Sequence, residues 1–439
     1  MAKNSKILSV EKKALGRVKE SEKQSWWSIA FIWIGILICI PSLMIGGSLA
    51  EGLSIGQVVL TTVIAYSLIG ALMTLTGIIG GDLGLPSAMC AAKAFGDSGS
   101  SYVISVISFI SSIGWFGVQT ATCAAAFSTM MEIFNIDFPQ WAGCILWGAI
   151  MLATSVTGYT FMKVLNYVAV PFLVITCIYG AVRGINIMGI SDLMAYTPSE
   201  SMTMTSGVSI CIGGMAASVV ISSDYSRYSK SRADTLKASF FGVLPAGVIM
   251  VSIGGIMGVT TGESDITQMF VNIGFPVISM LILVLATWTT NTGNAYVAGM
   301  ACMKIGNFRE ELRPRVTLIA GAIGIVMALT GLANSLTAFL NILSAIMPPV
   351  AGVMIADYYI FGKAKPESWY RVKGVNWIGI LSWGVGAVAG LFFSFFSSGF
   401  DSILAATIAY IILNALLGKT SLAGQGRLPL PGEEEEGNS

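Results

Sequence analysis

Two short polar runs lie inside otherwise apolar stretches, and their residue types suit binding rather than bond-making chemistry. In LATWTTNTGNAY, Thr289, Thr290, Asn291, Thr292 and Asn294 fall at the middle of a long apolar run. Adjacent threonine hydroxyls supply hard oxygen ligands for a small cation, with carbonyls of a broken helix to complete the shell. Threonines also bond back to their own helix, which is the structural alternative. In SSIGWFGVQTATC, Ser112, Trp115 and Gln119 share one helix face. Trp115 offers a flat face to a planar ring, and the Gln119 amide both donates and accepts hydrogen bonds. A packed tryptophan and an interhelical polar contact explain the same residues without a ligand. The chain has no histidine, which removes His-based catalysis and the usual zinc and haem sites. No carboxylate falls in the centre of an apolar run. Glu51, Asp82, Glu132, Asp224 and Asp357 sit at ends or in loops, and Lys163 opens a run where its ammonium snorkels. Without a buried titratable relay, the expected coupling ion is sodium rather than a proton.

The elements that position these residues are membrane helices. Of 439 residues 54% are hydrophobic and 11% charged, far below the charge of a soluble chain and enough for about twelve spans of ~20 residues. Spans are expected at 27–49, 57–81, 101–131, 140–157, 161–182, 205–222, 236–259, 273–300, 315–332, 334–361, 376–396 and 401–417. With the N-terminus inside, alternate loops place 23 of the 24 Lys and Arg on the cytoplasmic side and leave Arg183 outside. The expectation is therefore a multi-pass protein of the cytoplasmic (inner) membrane, with both termini cytoplasmic. Residues 1–25 form a polar segment with no cleavable signal, 26–418 one transmembrane domain, and 419–439 a tail whose GEEEEGNS end is solvated. Seven scattered cysteines without a CxxC read as free thiols.

Helix breakers mark where the backbone opens. The first span carries Gly35, Pro41, Gly46 and Gly47, and the sixth carries Gly207, Gly213 and Gly214. Local unwinding is expected in both, at Gly35 and Gly214. These lie about five spans apart, as two inverted repeats with paired broken helices around a midplane site require. Pro348 and Pro349 kink or unwind the tenth span, as a gating joint or a static bend. GVGAVAG, at 384–390, lies mid-membrane with no preceding strand and reads as helix packing.

WIGILICIPSLMIGGSLAEGLS, SSIGWFGVQ, TWTTNTGNAY and SAIMPPVAGVMIADYY, in that order, resemble the nucleobase–cation symporters of family 1, in their purine/cytosine permease branch. The resemblance runs from about Trp26 to Leu417. It implies an all-α LeuT-type fold of twelve transmembrane helices, with repeats over 27–182 and 205–361 and two further helices over 376–417. It further implies a sodium site from the carbonyls of Gly35, Ile38 and Ala286 with the hydroxyls of Thr289 and Thr290. The family's substrate cradle maps onto Trp115, stacking on the ring, with Ser112 and Gln119 beside it, and across the cavity onto Gly214, Met215, Asn291 and Asn294. Pro41, Gly213, Pro348 and Pro349 are the expected hinge positions. Three departures bear on the substrate. Met215 stands where an aromatic is common, Ser112 where cytosine carriers have Gln, and Ala286 where they have Asn. Serine and alanine offer fewer base-edge contacts, so purines, hydroxymethylpyrimidine, allantoin or a hydantoin-like ring stand beside cytosine. The expected activity is import of such a ring by sodium symport, with proton symport as the alternative, in a monomer without cofactor. A channel would need charged rings or a filter repeat, and an enzyme a nucleophile or cofactor motif; neither is present.

Overall fold

The computed structural model describes residues 16–429 except 158, 199, 275, 332–334, 394 and 425, with backbone alone over 157–168. The acidic end GEEEEGNS, residues 1–15 and the Lys163 side chain lie outside the described residues. The membrane helices are α1 (Trp26–Leu37), α2 (Ile40–Ala50), α3 (Ile55–Leu83), α4 (Asp97–Ile133), α5 (Gln140–Thr157), α6 (Tyr159–Met188) and α7 (Met204–Ser226). They continue as α8 (Arg232–Thr261), α9 (Pro276–Ile305), α10 (Arg313–Leu329), α11 (Leu336–Ile346), α12 (Pro348–Ile355), α13 (Trp377–Phe392) and α14 (Ser398–Leu417). Among the described residues nine spans are long and apolar enough to cross a membrane, and ten if the bent pair α1–α2 is one span. Two shorter apolar helices, Gln140–Val156 and Trp377–Phe392, fill the remaining positions of the expected twelve. All seven cysteines are free.

Helix ends follow from local chemistry. Ser54 and Gln57 form a reciprocal capping box at the start of α3, and Gly84, at φ 68°, closes its other end in the left-handed conformation. Ser231 caps α8 through the Asp234 amide, and Gly262 ends it at φ 70°. The first span bends by 58° between α1 and α2. The break sits at Ile38 and Cys39, whose backbone leaves the helical region, and not at Gly35, which is inside α1. Pro41 stands in the first turn of α2, where its missing amide costs nothing.

The sixth span corrects the expectation of paired breaks: α7 runs unbroken through Gly213 and Gly214. It holds no proline, and its glycines serve approach between helices. A Cβ at Gly213 would overlap the Leu340 carbonyl of α11, and one at Gly214 would meet the Ile45 side chain of α2. The tenth span divides at Met347, with Pro348 and Pro349 opening α12, and ends in a π-helical turn over Ala356–Phe361.

The helices form two groups. In one, α1 and α2 lie along α8, and α3 packs against both α7 and α8; in the other, α4 and α9 run together, with α5 and α10 against them. Backbones touch where α2 crosses α8: a Cβ on Gly46 would collide with the Val251 carbonyl, and one on Gly254 with that of Leu43. α13 and α14 pair outside, against α11 and α12.

The basic loops gather at one end of the molecule. There Arg232 grips Asp82 at 2.7 Å, and the Tyr358 hydroxyl donates to the same carboxylate at 2.6 Å. Lys93 meets the buried Asp357 at 3.4 Å, and Tyr410 donates to Asp357 at 3.1 Å. A two-residue ribbon pairs Arg371–Val372 with Arg427–Leu428.

Candidate functional site

A cavity of about 260 Å³ lies between the two helix groups. The broken first span forms one side through Leu37, Cys39, Pro41, Ser42 and Ile45. α7 contributes Gly214, Met215 and Ser218, α4 contributes Ser112, Trp115 and Gln119, and α9 contributes Thr290 and Asn294. No Asp, Glu, Lys or Arg lines it.

Trp115 stands edge-on to Phe339 of α11, with ring centroids 5.5 Å apart and planes at 83°. Gly114 makes room for that contact, since a Cβ there would strike the Phe339 ring. The Gln119 side chain is 1% exposed, and its amide oxygen has no hydrogen-bond partner. A buried acceptor without a donor is costly unless something in the cavity supplies one.

Asn291 lies outside the cavity wall. Its amide nitrogen donates to the Phe116 carbonyl (3.0 Å) and the Thr120 hydroxyl (3.0 Å) and lies 3.2 Å from the Met151 sulfur, tying α9 to α4 and α5. Asn294 donates to the Asn291 carbonyl oxygen at 3.2 Å, so the buried residue orients the one in the wall.

The expected ion ligands divide in the same way. The hydroxyls of Thr289 and Thr290 both donate to the Ala286 carbonyl, at 2.8 and 3.1 Å. Back-bonding of this kind commits the hydrogens and leaves the oxygen lone pairs free. Thr290 is exposed to the cavity, whereas Thr289 and Ala286 are buried. At the α1–α2 break, the Cys39 amide donates to the Leu37 carbonyl (2.9 Å) and the Ser42 amide to that of Cys39 (3.2 Å). A continuous helix would have used the carbonyls of Gly35 and Ile38 for those two amides. The break therefore releases the two carbonyls named from the sequence. Gly35 itself is exposed, with open space where a side chain would be.

Sequence reasoning passed over Tyr66, Cys39, Ser108, Ser111 and Ser218, all in the cavity wall. Ser108 and Ser111 extend the stripe of Ser112, Trp115 and Gln119 by one turn, so the helical period held that signal. Tyr66 had none, because a tyrosine beside Ile64, Ala65, Leu68 and Ile69 reads as core.

A cavity between two groups of membrane helices, beside a span whose backbone opens, is the architecture of a membrane transporter. A family model described as "Permease for cytosine/purines, uracil, thiamine, allantoin" matches residues 18–418, and the chain belongs to that family. It is 27% identical to the cytosine permease of Escherichia coli, with 93% of this chain and 95% of that protein covered. It is 25% identical to the allantoin permease of Bacillus subtilis, covering 92% and 93%, and 24% to the hydantoin permease of Microbacterium maritypicum, covering 82% and 79%. The fold is that of Mhp1 in its inward-facing conformation, at TM-score 0.81 and 22% identity over 92% of this chain and 93% of that one. A Na+-coupled sialic acid symporter shares it more distantly, at TM-score 0.62 and 12% identity over 90% of each chain. The LeuT-type fold expected from the sequence is thus shown, and the chain is a permease rather than an enzyme.

Proposed function

We propose that this permease imports a nucleobase or a closely related planar heterocycle with sodium, by alternating access around the cavity between the two helix groups. The observation that carries the reading is the cavity wall: Trp115, Gln119 with its buried, unpartnered oxygen, and no ionised side chain. Its volume lies just under the usual range for ligand pockets, which starts near ~300 Å³. That favours one small uncharged ring over a nucleoside or a nucleotide. Trp115 stacks on the ring, with Ser112, Gln119 and Asn294 at its edge and Gly214 and Met215 opposite; Asn291 holds Asn294 in place. Methionine packs against a ring face through its polarisable sulfur.

Sodium is coordinated by the carbonyls of Gly35, Ile38 and Ala286 with the hydroxyls of Thr289 and Thr290. The carbonyls released at the α1–α2 break support this, as does the commitment of both threonine hydrogens to Ala286. The chain has no histidine, and no carboxylate lines the cavity, which favours sodium over a proton carried on either group. The site is built within one chain, so a monomer suffices. The basic-loop distribution supports both termini on the cytoplasmic face of the plasma membrane.

The test is uptake of radiolabelled cytosine into proteoliposomes, under an inward sodium gradient and with potassium in its place. Unlabelled hypoxanthine, hydroxymethylpyrimidine, allantoin and hydantoin serve as competitors. Saturable uptake that requires sodium supports the reading, and the strongest competitor names the ring. Uptake that follows a pH gradient without sodium overturns the ion assignment.

A further inference from the structure

Two residues of the cavity wall each carry a buried polar atom without a partner, and the ring-binding reading uses only one of them. The second is the hydroxyl of Tyr66, on α3 in the group that carries the broken span. The Tyr66 side chain is 0% exposed. Its ring lies against Gly247 of α8, where a Cβ would run into it. The ring is thus packed closely against the α8 backbone. Cys39, at the break of the first span, and Cys211 of α7 are its titratable neighbours. Burying a hydroxyl without a partner is unfavourable unless a working state of the protein supplies one.

We infer that Tyr66 is a specificity-determining residue whose hydroxyl donates a hydrogen bond to a carbonyl oxygen on the transported ring. The inference rests on the ring-binding reading above and adds to it the residue that reads a carbonyl of the substrate. The transported heterocycle is an oxo-substituted one, held at one edge by Gln119 of the α4–α9 group and at another by Tyr66 of the group around α3. A ring without that oxygen leaves the hydroxyl unpaired, which is the strongest form of discrimination a binding site can exercise.

Tyr66→Phe removes the hydroxyl and keeps the ring. Purified wild type and variant are titrated calorimetrically in sodium chloride with two matched pairs. These are cytosine against 4-aminopyrimidine, and hypoxanthine against purine, each pair differing by one carbonyl oxygen. Wild type is expected to favour one oxo ring over its partner by at least about tenfold. In Tyr66→Phe that advantage falls to about unity, through lost affinity for the oxo ring and unchanged affinity for its partner. Equal binding of the oxo ring by both proteins overturns the inference, and so does an equal loss for both members of a pair, which marks a packing role. Wild type that binds none of the four, nor the competitors of the uptake assay, overturns the nucleobase reading and this inference with it.

Discussion

Thr289 and Thr290 send their hydrogens to the same acceptor, the Ala286 carbonyl, yet only Thr290 reaches the cavity. Thr290→Ala removes an oxygen that faces an arriving cation, and we expect the sodium concentration for half-maximal uptake to rise about tenfold while the fold is retained. Sodium titration of uptake measures it, and unchanged dependence removes Thr290 from the ion site. Asn291 does different work, joining α9 to α4 and α5 through its amide. Asn291→Ala strips partners from buried groups at about 1–3 kcal/mol, so it should lower the unfolding temperature in detergent as well as weaken ring binding. A variant with wild-type stability would assign Asn291 to the ring instead. Trp115 and Gln119 were legible because a polar side chain on one face of an apolar helix stands out by period. Tyr66 was not, since a tyrosine among aliphatic residues reads as core until its hydroxyl is found without a partner.

The spans were read from hydropathy to within a few residues, and α5 matches the expected 140–157. What failed was the inference from glycine to unwinding. Gly213 and Gly214 sit in an unbroken helix because their lack of a side chain is used between helices rather than along the backbone. In the first span the backbone leaves the helix at Ile38 and Cys39, just before Pro41. Gly254→Val tests the packing role. Its side chain has only the Leu43 carbonyl to enter, so α2 must separate from α8, and we expect loss of monodisperse protein on size exclusion. Gly384, with nothing within 4 Å of an added Cβ, is the control, and Gly384→Ala should behave as wild type. Pro348 and Pro349 divide the tenth span. If that joint is a gate, the double change to alanine straightens it and slows uptake several-fold at unchanged ring affinity, whereas a static bend leaves the rate alone.

At the scale of the whole molecule, the division into two helix groups was not readable from composition or period, because lipid-facing and partner-facing surfaces are equally apolar. Family resemblance supplied two consecutive repeats, over 27–182 and 205–361, and the helix groups cut across them, each drawing helices from both. The end-loop network was equally hidden: Lys93 and Asp357 are far apart in sequence, yet their side chains are only 11% and 8% exposed. Asp357→Asn leaves the Lys93 ammonium buried without its counter-charge, a cost of about 3–5 kcal/mol. The thermal midpoint should fall clearly, and Lys93→Met in the same protein should restore much of it. A midpoint unchanged in the single variant would show the pair to be dispensable.

The uncharged cavity wall has an electrical consequence. On the proposed sodium symport, taken at one ion per ring, a carrier whose site holds no ionised side chain brings no counter-charge of its own, so a neutral ring and its ion would move one net positive charge inward per cycle. Such a cycle is electrogenic. A membrane potential of 100 mV, negative inside, adds about 2.3 kcal/mol to each turnover, enough to raise the limiting accumulation of the ring about fifty-fold with no change in the sodium gradient.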